Sequence, residues 1–219
     1  VFGADYAACG RCWWCRRGDH WECPERRFFG TGTAFGPSLA GAQAELVRVP
    51  FADTTLRAVP VGVPADVAVF LGDTLATGYA AADRARIAPG DTVAVLGGGP
   101  VGQLTSLAAQ ALGAGVVVLV EPVVTRRELA AGQGAVPAEP EQARTVLDWI
   151  TDGRGADAVI DAVGGARALD TAFALVRRRG TVVSVGVHHD LGWSLPVARA
   201  FADELTLRFV VGNALRDGD

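Results

Sequence analysis

From Pro89 onward the apolar residues fall into short β-branched runs separated by stretches with helical spacing. Pro89-Gly90-Asp91 reads as a turn, and the run Thr92–Leu96 after it predicts a strand. Gly97-Gly98-Gly99-Pro100-Val101-Gly102 follows directly. Gln103–Leu112 then places Leu104, Leu107, Ala108, Ala111 and Leu112 on one helical face, and Gly113 and Gly115 stop it. Val116–Val120 predicts a second buried strand that ends at Glu121. Further on, the pattern predicts helices over Val124–Gly132, Glu141–Thr151 and Ala166–Val176. It predicts strands over Asp157–Asp161, Thr181–Val185 and Thr206–Val211, with Val163-Gly164-Gly165 as a turn. Strands alternating with helices imply an α/β domain, a doubly wound parallel Rossmann sheet covered on both faces. A ligand of such a sheet lies beyond the C-terminal ends of its strands. The residues there are Gly97–Gly102, Glu121, Ala162–Gly164 and Gly186–His188.

The glycine run matches G-x-G-x-x-G in a context that gives each residue a task. Gly97 permits the tight turn, Gly99 lets backbone approach a pyrophosphate, and Gly102 lets helix and strand pack closely. Pro100 and Val101 belong to the loop ahead of the helix, whose positive end faces the phosphates. Glu121 follows at the distance where a carboxylate accepts the ribose hydroxyls of an adenosine half. This combination points to a dinucleotide, with NAD preferred because a 2′-phosphate would meet the charge of Glu121. Arg126 and Arg127 are close enough in sequence to soften that preference.

All four cysteines, Cys9, Cys12, Cys15 and Cys23, share one short segment with the spacing C-x2-C-x2-C-x7-C. Two disulfides between such close neighbours would be strained. Four thiolates suit a closed tetrahedral zinc, while the first two spacings also match a ferredoxin-type iron–sulfur run, which differs only in the last gap. Either centre is structural or electron-carrying, because four protein ligands leave no open position. His20, inside the last gap, reads as an exposed loop residue. His188 and His189 read as a solvated pair with no partner acid placed for them. Asp73 reads on its own as an N-cap for a helix starting at Thr74.

Composition narrows the classes. Half of the 219 residues are hydrophobic, enough for a substantial core. A net charge of -4 argues against nucleic acid as a partner. Every basic residue is Arg, and Met is absent. No aliphatic run approaches membrane-spanning length and no signal-peptide pattern opens the chain, so the expected compartment is the cytoplasm.

Taken together, these segments resemble the medium-chain zinc-dependent alcohol dehydrogenases. Ala8–Pro24 looks like their structural zinc lobe, and Gly41–Pro50 like the return to their mostly β, GroES-like catalytic domain. Asp73-Thr74-Leu75-Ala76-Thr77-Gly78-Tyr79 resembles the segment that carries one catalytic zinc ligand and enters the coenzyme domain. The resemblance implies zinc on Cys9, Cys12, Cys15 and Cys23, and a catalytic zinc ligand at Asp73, a position filled by Cys in many members. Asp there is similar to the formaldehyde-dehydrogenase-like branch. It also implies Thr77 beside the nicotinamide and the pyrophosphate on Gly97, Gly99, Pro100, Val101 and Gly102. The ribose would lie on Glu121, the adenine side near Arg126, and the nicotinamide half near Val163, Val185, Gly186 and Val187. The implied domains are 1–71 (partial catalytic domain), 72–213 (NAD-binding) and 214–219 (return to the catalytic domain). The family's remaining catalytic zinc ligands, a Cys and a His, precede its structural lobe, so an N- and C-terminally truncated, incomplete enzyme is expected. The implied function is hydride transfer between NAD and a small alcohol or aldehyde, by a homo-oligomer when full-length. The alternative is a non-catalytic remnant that binds zinc and dinucleotide.

Overall fold

The computed structural model describes residues 1–217, which form two compact units. One comprises Gly78–Val210, the other Val1–Thr77 with the chain from Val211 on. The helix α1 (Thr74–Arg84) runs from one into the other.

In the Gly78–Val210 unit a strand β1 (Thr92–Leu96) is followed by α2 (Pro100–Ala111) and β2 (Val116–Val120). Then come α3 (Val124–Gly132), β3 (Val136–Ala138), α4 (Ala143–Thr151) and β4 (Ala156–Asp161). The unit closes with α5 (Ala166–Leu175), β5 (Val176–Ser184), α6 (Val197–Ala202) and β6 (Thr206–Phe209). The six strands pair in parallel in the order β6-β5-β4-β1-β2-β3. That order reverses direction between β1 and β4, the place where Rossmann-like sheets bind ligands.

Alternation along each strand builds two cores. Val93, Val95, Val117, Leu119 and Ile160 face one side, against Ala81, Ala82 and Ala85 of α1 and Ala108 and Ala109 of α2. Ala94, Leu96, Val118, Val120 and Val159 face the other, against Leu147 of α4 and Phe173 of α5. Strands buried on both faces need continuous apolar sequence, which is what β1 and β2 carry. Each fully buried Val or Ile contributes roughly 1.5–3 kcal/mol of transfer free energy.

Several boundaries depart from the sequence expectation. The helix after the glycines starts at Pro100, since a proline at the first helical position loses no hydrogen bond. The strand β3 was not expected, because Pro137 sits inside it. It is the sheet's edge, where a missing N–H is tolerated. β5 begins at Val176, five residues before the apolar run that predicted it, and its polar start pairs with Ala156 through an irregular register.

The other unit has little regular structure. Phe2–Gly3 pairs antiparallel with Leu56–Arg57, and Tyr6–Ala7 with Arg27–Phe28. Single 3-10 turns cover Cys15–Arg17 and His20–Glu22. Its core is a cluster of Tyr6, Phe28, Cys9, Cys15, Cys23, Ala76 and Leu215, with Trp21 packed against it. The Tyr6 hydroxyl donates to Asn213 Oδ1 at 2.8 Å, and Asn213 Nδ2 donates to Gly18 O at 2.7 Å. Of the segment 214–219, residues 214–217 form a helical turn, and the last two lie outside the described residues.

Candidate coenzyme and metal sites

The loop after β1 is shaped by two glycines whose places exclude a side chain. Gly97 has φ of 93°. A Cβ on Gly102 would stand 1.9 Å from the Gly97 carbonyl oxygen, so α2 packs directly on the turn. At Gly99 the Cβ direction opens into free space, leaving backbone accessible to a ligand. Beyond the strand ends lies a cavity of about 680 Å³, with Gly97, Gly99, Glu121, Arg126, Val163 and Arg167 among its walls. Pro100, Val101 and Gly102 form the start of α2 beside it.

Glu121 follows the last residue of β2 and is almost wholly buried. Its Oε2 accepts the Gly98 N–H at 2.6 Å and its Oε1 the Val123 N–H at 2.9 Å. Two backbone donors hold the carboxylate at the cavity wall with lone pairs to spare. The Arg126 guanidinium lies 3.7 Å from Oε2 and is half exposed. Arg127 is committed elsewhere: it donates to the carbonyls of Glu121 and Pro122 and pairs with Glu139 at 2.6 Å. The sequence reading that either arginine could turn to a phosphate therefore holds only for Arg126.

Gln103 escaped the sequence reading. Its buried Nε2 donates to the carbonyls of Gly98, at 3.1 Å, and Arg126, at 2.9 Å, tying the glycine loop to α3. A polar residue on an otherwise small, apolar helix face was the available signal.

Across the same switch point from β1, Asp161 is fully buried at the end of β4. Its Oδ1 accepts the N–H groups of Val163 and Gly164, both at 2.9 Å. Its Oδ2 accepts the Ser184 hydroxyl at 2.7 Å, and Ser184 Oγ lies 2.8 Å from His188 Nε2. The solvated reading of His188 is thereby corrected, since it has a buried acid at one remove; His189 is exposed, as expected. Val185, Gly186 and Val187 form the turn after β5, adjacent in the fold to the Val163–Gly165 turn.

In the cysteine-bearing unit, the four Sγ atoms lie within 4.8 Å of one another, with Cys9 and Cys15 at 4.0 Å. None forms a disulfide. One ion bonded to four thiolates at about 2.3 Å holds neighbouring sulfurs about 3.8 Å apart, so the cluster fits a single tetrahedral metal. Backbone N–H groups already point at two of the sulfurs: Cys9 N–H at Cys23 and Cys15 N–H at Cys12, each at 3.4 Å. The latter bond brings the Cys12 thiol down to about 7, whereas burial pushes Cys15 and Cys23 up. His20 lies outside the sulfur cluster and is half-buried, correcting the exposed reading. Burial lowers its pKa, with the charge of Arg57 adding.

Asp73 lines a separate cavity of about 820 Å³, together with Asp5, Phe29, Val49 and Leu56. Its backbone carbonyl accepts the Thr77 N–H at 2.8 Å, the N-cap position, but its carboxylate accepts the Thr77 hydroxyl at 3.1 Å. The side chain thus reaches along the helix start and is open to the cavity. Asp5 is exposed to solvent in the same cavity, where partial desolvation, with the charge of Asp73 adding, raises its pKa to about 7.

The sequence profile of the family described as zinc-binding dehydrogenase matches residues 100–217. The chain belongs to the zinc-binding dehydrogenase family. Among its relatives, a probable zinc-binding alcohol dehydrogenase of Mycobacterium tuberculosis is 40% identical over 217 residues, covering 99% of this chain and 55% of that protein. The alcohol dehydrogenase of Thermus sp. ATN1 superposes with a TM-score of 0.92 at 38% identity, covering 97% of this chain and 62% of that one. A Sinorhizobium meliloti protein described as a zinc-binding dehydrogenase, solved bound to NADP, gives 0.82 at 29% identity, covering 100% and 64%. The chain spans about half the length of the curated relatives it matches. Among the described residues no helix is long and apolar enough to cross a membrane.

Proposed function

We propose that this zinc-binding dehydrogenase transfers hydride between NAD and an alcohol or aldehyde. The observation that carries the reading is Glu121, a buried carboxylate aimed at the wall of the cavity beside the glycine loop. Its oriented oxygens would receive the two hydroxyls of the adenosine ribose, and the amino end of α2 would face the pyrophosphate. Arg126 would lie against the adenine side, and Val163, Val185, Gly186 and Val187 would line the nicotinamide half. NADP is the competing coenzyme, given the Sinorhizobium neighbour. A 2′-phosphate would meet the Glu121 charge at close range, with only Arg126 in position to offset it.

The four cysteines would hold one structural zinc, which contributes folding energy and no chemistry. Their close spacing supports one ion over a multi-iron cluster, whose thiolates bind different irons and stand farther apart. Asp73 is the proposed ligand of a catalytic zinc, with Thr77 orienting its carboxylate. A zinc there supplies Lewis-acid polarisation of the substrate oxygen when bound. Asp73 in place of a cysteine is also what supports the formaldehyde-dehydrogenase-like branch. Residues 1–71 are read as GroES-like catalytic-domain sequence, 72–213 as the dinucleotide domain, and 214–219 as the return to the former. The intact enzyme is read as a homo-oligomer.

Calorimetric titration with NAD and NADP tests the coenzyme assignment. NAD should bind at least about tenfold more tightly, and Glu121→Ala should narrow the gap. Equal or tighter NADP binding would overturn the preference for NAD, and binding of neither would overturn the function. Turnover of an alcohol panel by the intact protein, lost in Asp73→Ala, tests the rest.

A further inference from the structure

The histidine after β5 has a role that the coenzyme reading leaves unassigned. Ser184 donates its hydroxyl hydrogen to the buried Asp161 Oδ2, so its oxygen is left to accept from His188 Nε2–H. On the other side of the ring, His188 Nδ1 accepts the Gly165 N–H at 3.1 Å. Every donor and acceptor in the chain is satisfied only by the neutral Nε2–H tautomer. The imidazole therefore bridges the turn after β5 to the turn after β4, and the bridge is anchored on a fully buried acid.

The strand ends do not need this bridge. The Asp161 carbonyl already accepts the N–H groups of Val185 and Gly186, at 2.9 and 3.0 Å, and its Oδ1 holds Val163 and Gly164. The two turns meet backbone to backbone: a Cβ on Gly186 would stand 2.2 Å from the Gly164 nitrogen. What His188 adds is confined to the outer part of the turn, where Val187 is exposed and the Phe209 ring meets the imidazole edge-on at 5.5 Å.

We propose that His188 is a positioning residue for the nicotinamide half of the coenzyme, holding the Val185–Val187 backbone in register with the Val163–Gly165 turn. The proposal rests on the coenzyme reading above. It predicts an effect on one end of the dinucleotide only, which a general loss of structure would not produce.

The test compares NAD with ADP-ribose, which lacks the nicotinamide, on the wild type, His188→Ala and His188→Gln. The wild type should bind NAD more tightly than ADP-ribose. In His188→Ala, NAD affinity should fall about tenfold while ADP-ribose affinity stays unchanged. Glutamine carries both an acceptor oxygen and a donor NH2, so His188→Gln should recover most of the loss. Equal weakening of both ligands, no weakening of either, or no recovery with glutamine would overturn the proposal and leave the coenzyme reading standing. A wild type that binds neither ligand overturns both, and one that binds them equally overturns the proposal alone.

Discussion

The two units hold their functional residues by opposite means. In the Gly78–Val210 unit, the candidate residues stand at the ends of strands whose side chains are buried on both faces. Glu121 and Asp161 are buried there without cost in unmet hydrogen bonds, because backbone N–H groups converge on each carboxylate. In the cysteine-bearing unit the ladders are two residues long, and 40–49 carries no helix or strand. Its core gathers aromatic rings, small alanines, Leu215 and the cysteines themselves. One unit draws its precision from a sheet, and the other would draw it from the metal proposed on its four cysteines. A two-stranded pair of this size is not stable alone in water.

The largest effect expected from that contrast is metal removal. Structural zinc in small folds contributes on the order of 10 kcal/mol at neutral pH. Cys23→Ser, or chelation of the wild type, should strip the metal and open the Val1–Thr77 region to proteolysis and hydrogen exchange. The strands β1, β2 and β4 should keep their protection, since their burial owes nothing to the cysteines. Unchanged exchange across residues 1–77 after complete metal loss would remove the contrast.

The converse experiment breaks the sheet-borne site and spares the cysteines. In Gly102→Val the new side chain would begin 1.9 Å from the Gly97 carbonyl. Forcing α2 away from the turn should cost about 3 kcal/mol and abolish NAD binding. Zinc content should remain at one equivalent per chain. Gly132→Ala, where a Cβ meets nothing within 4 Å, serves as the matched control and should leave NAD binding intact. Normal NAD affinity in Gly102→Val would show that the loop yields more readily than its packing implies.

How much of this was legible in the sequence follows the same division. The strand–glycine–helix–strand–acid succession from Thr92 to Glu121 is local, and each residue type there has one backbone task, so fold and candidate site could be read together. The cysteine cluster was legible because its four thiols share one short segment. What stayed hidden depends on partners distant in sequence. Gln103 bridges to Arg126, His188 reaches Asp161 through Ser184, and Asp5 shares a cavity with Asp73. Spacing along the chain carries no trace of such meetings. The strand β3 was missed for a different reason: its Pro137 argues against a strand everywhere except at an edge.

The smallest effect concerns the acids, and it sharpens the comparison most finely. Glu121 and Asp161 are each met by several donors, whereas Asp5 is desolvated and faces the charge of Asp73, with its own backbone amide in partial compensation. Its pKa of about 7 lies above the value of 3.8 that an unfolded carboxyl takes. Between those two values the folded chain holds a proton that the unfolded chain has released. Stability from this group is therefore fully present below about pH 4, falls as pH rises, and is lost above about pH 7. Because Asp5 is exposed, solvent screening should keep the change to about 1 kcal/mol or less. Asp5→Asn removes the titrating group and keeps the shape. Denaturant midpoints of the two proteins, compared from pH 5 to 8, should diverge in favour of the variant as pH rises. Taking the difference cancels the pH dependence of zinc binding, which both proteins share. A constant difference across that range would mean that Asp5 titrates alike in the folded and unfolded chains, and that the cysteine-bearing unit houses its acids no less comfortably than the sheet does.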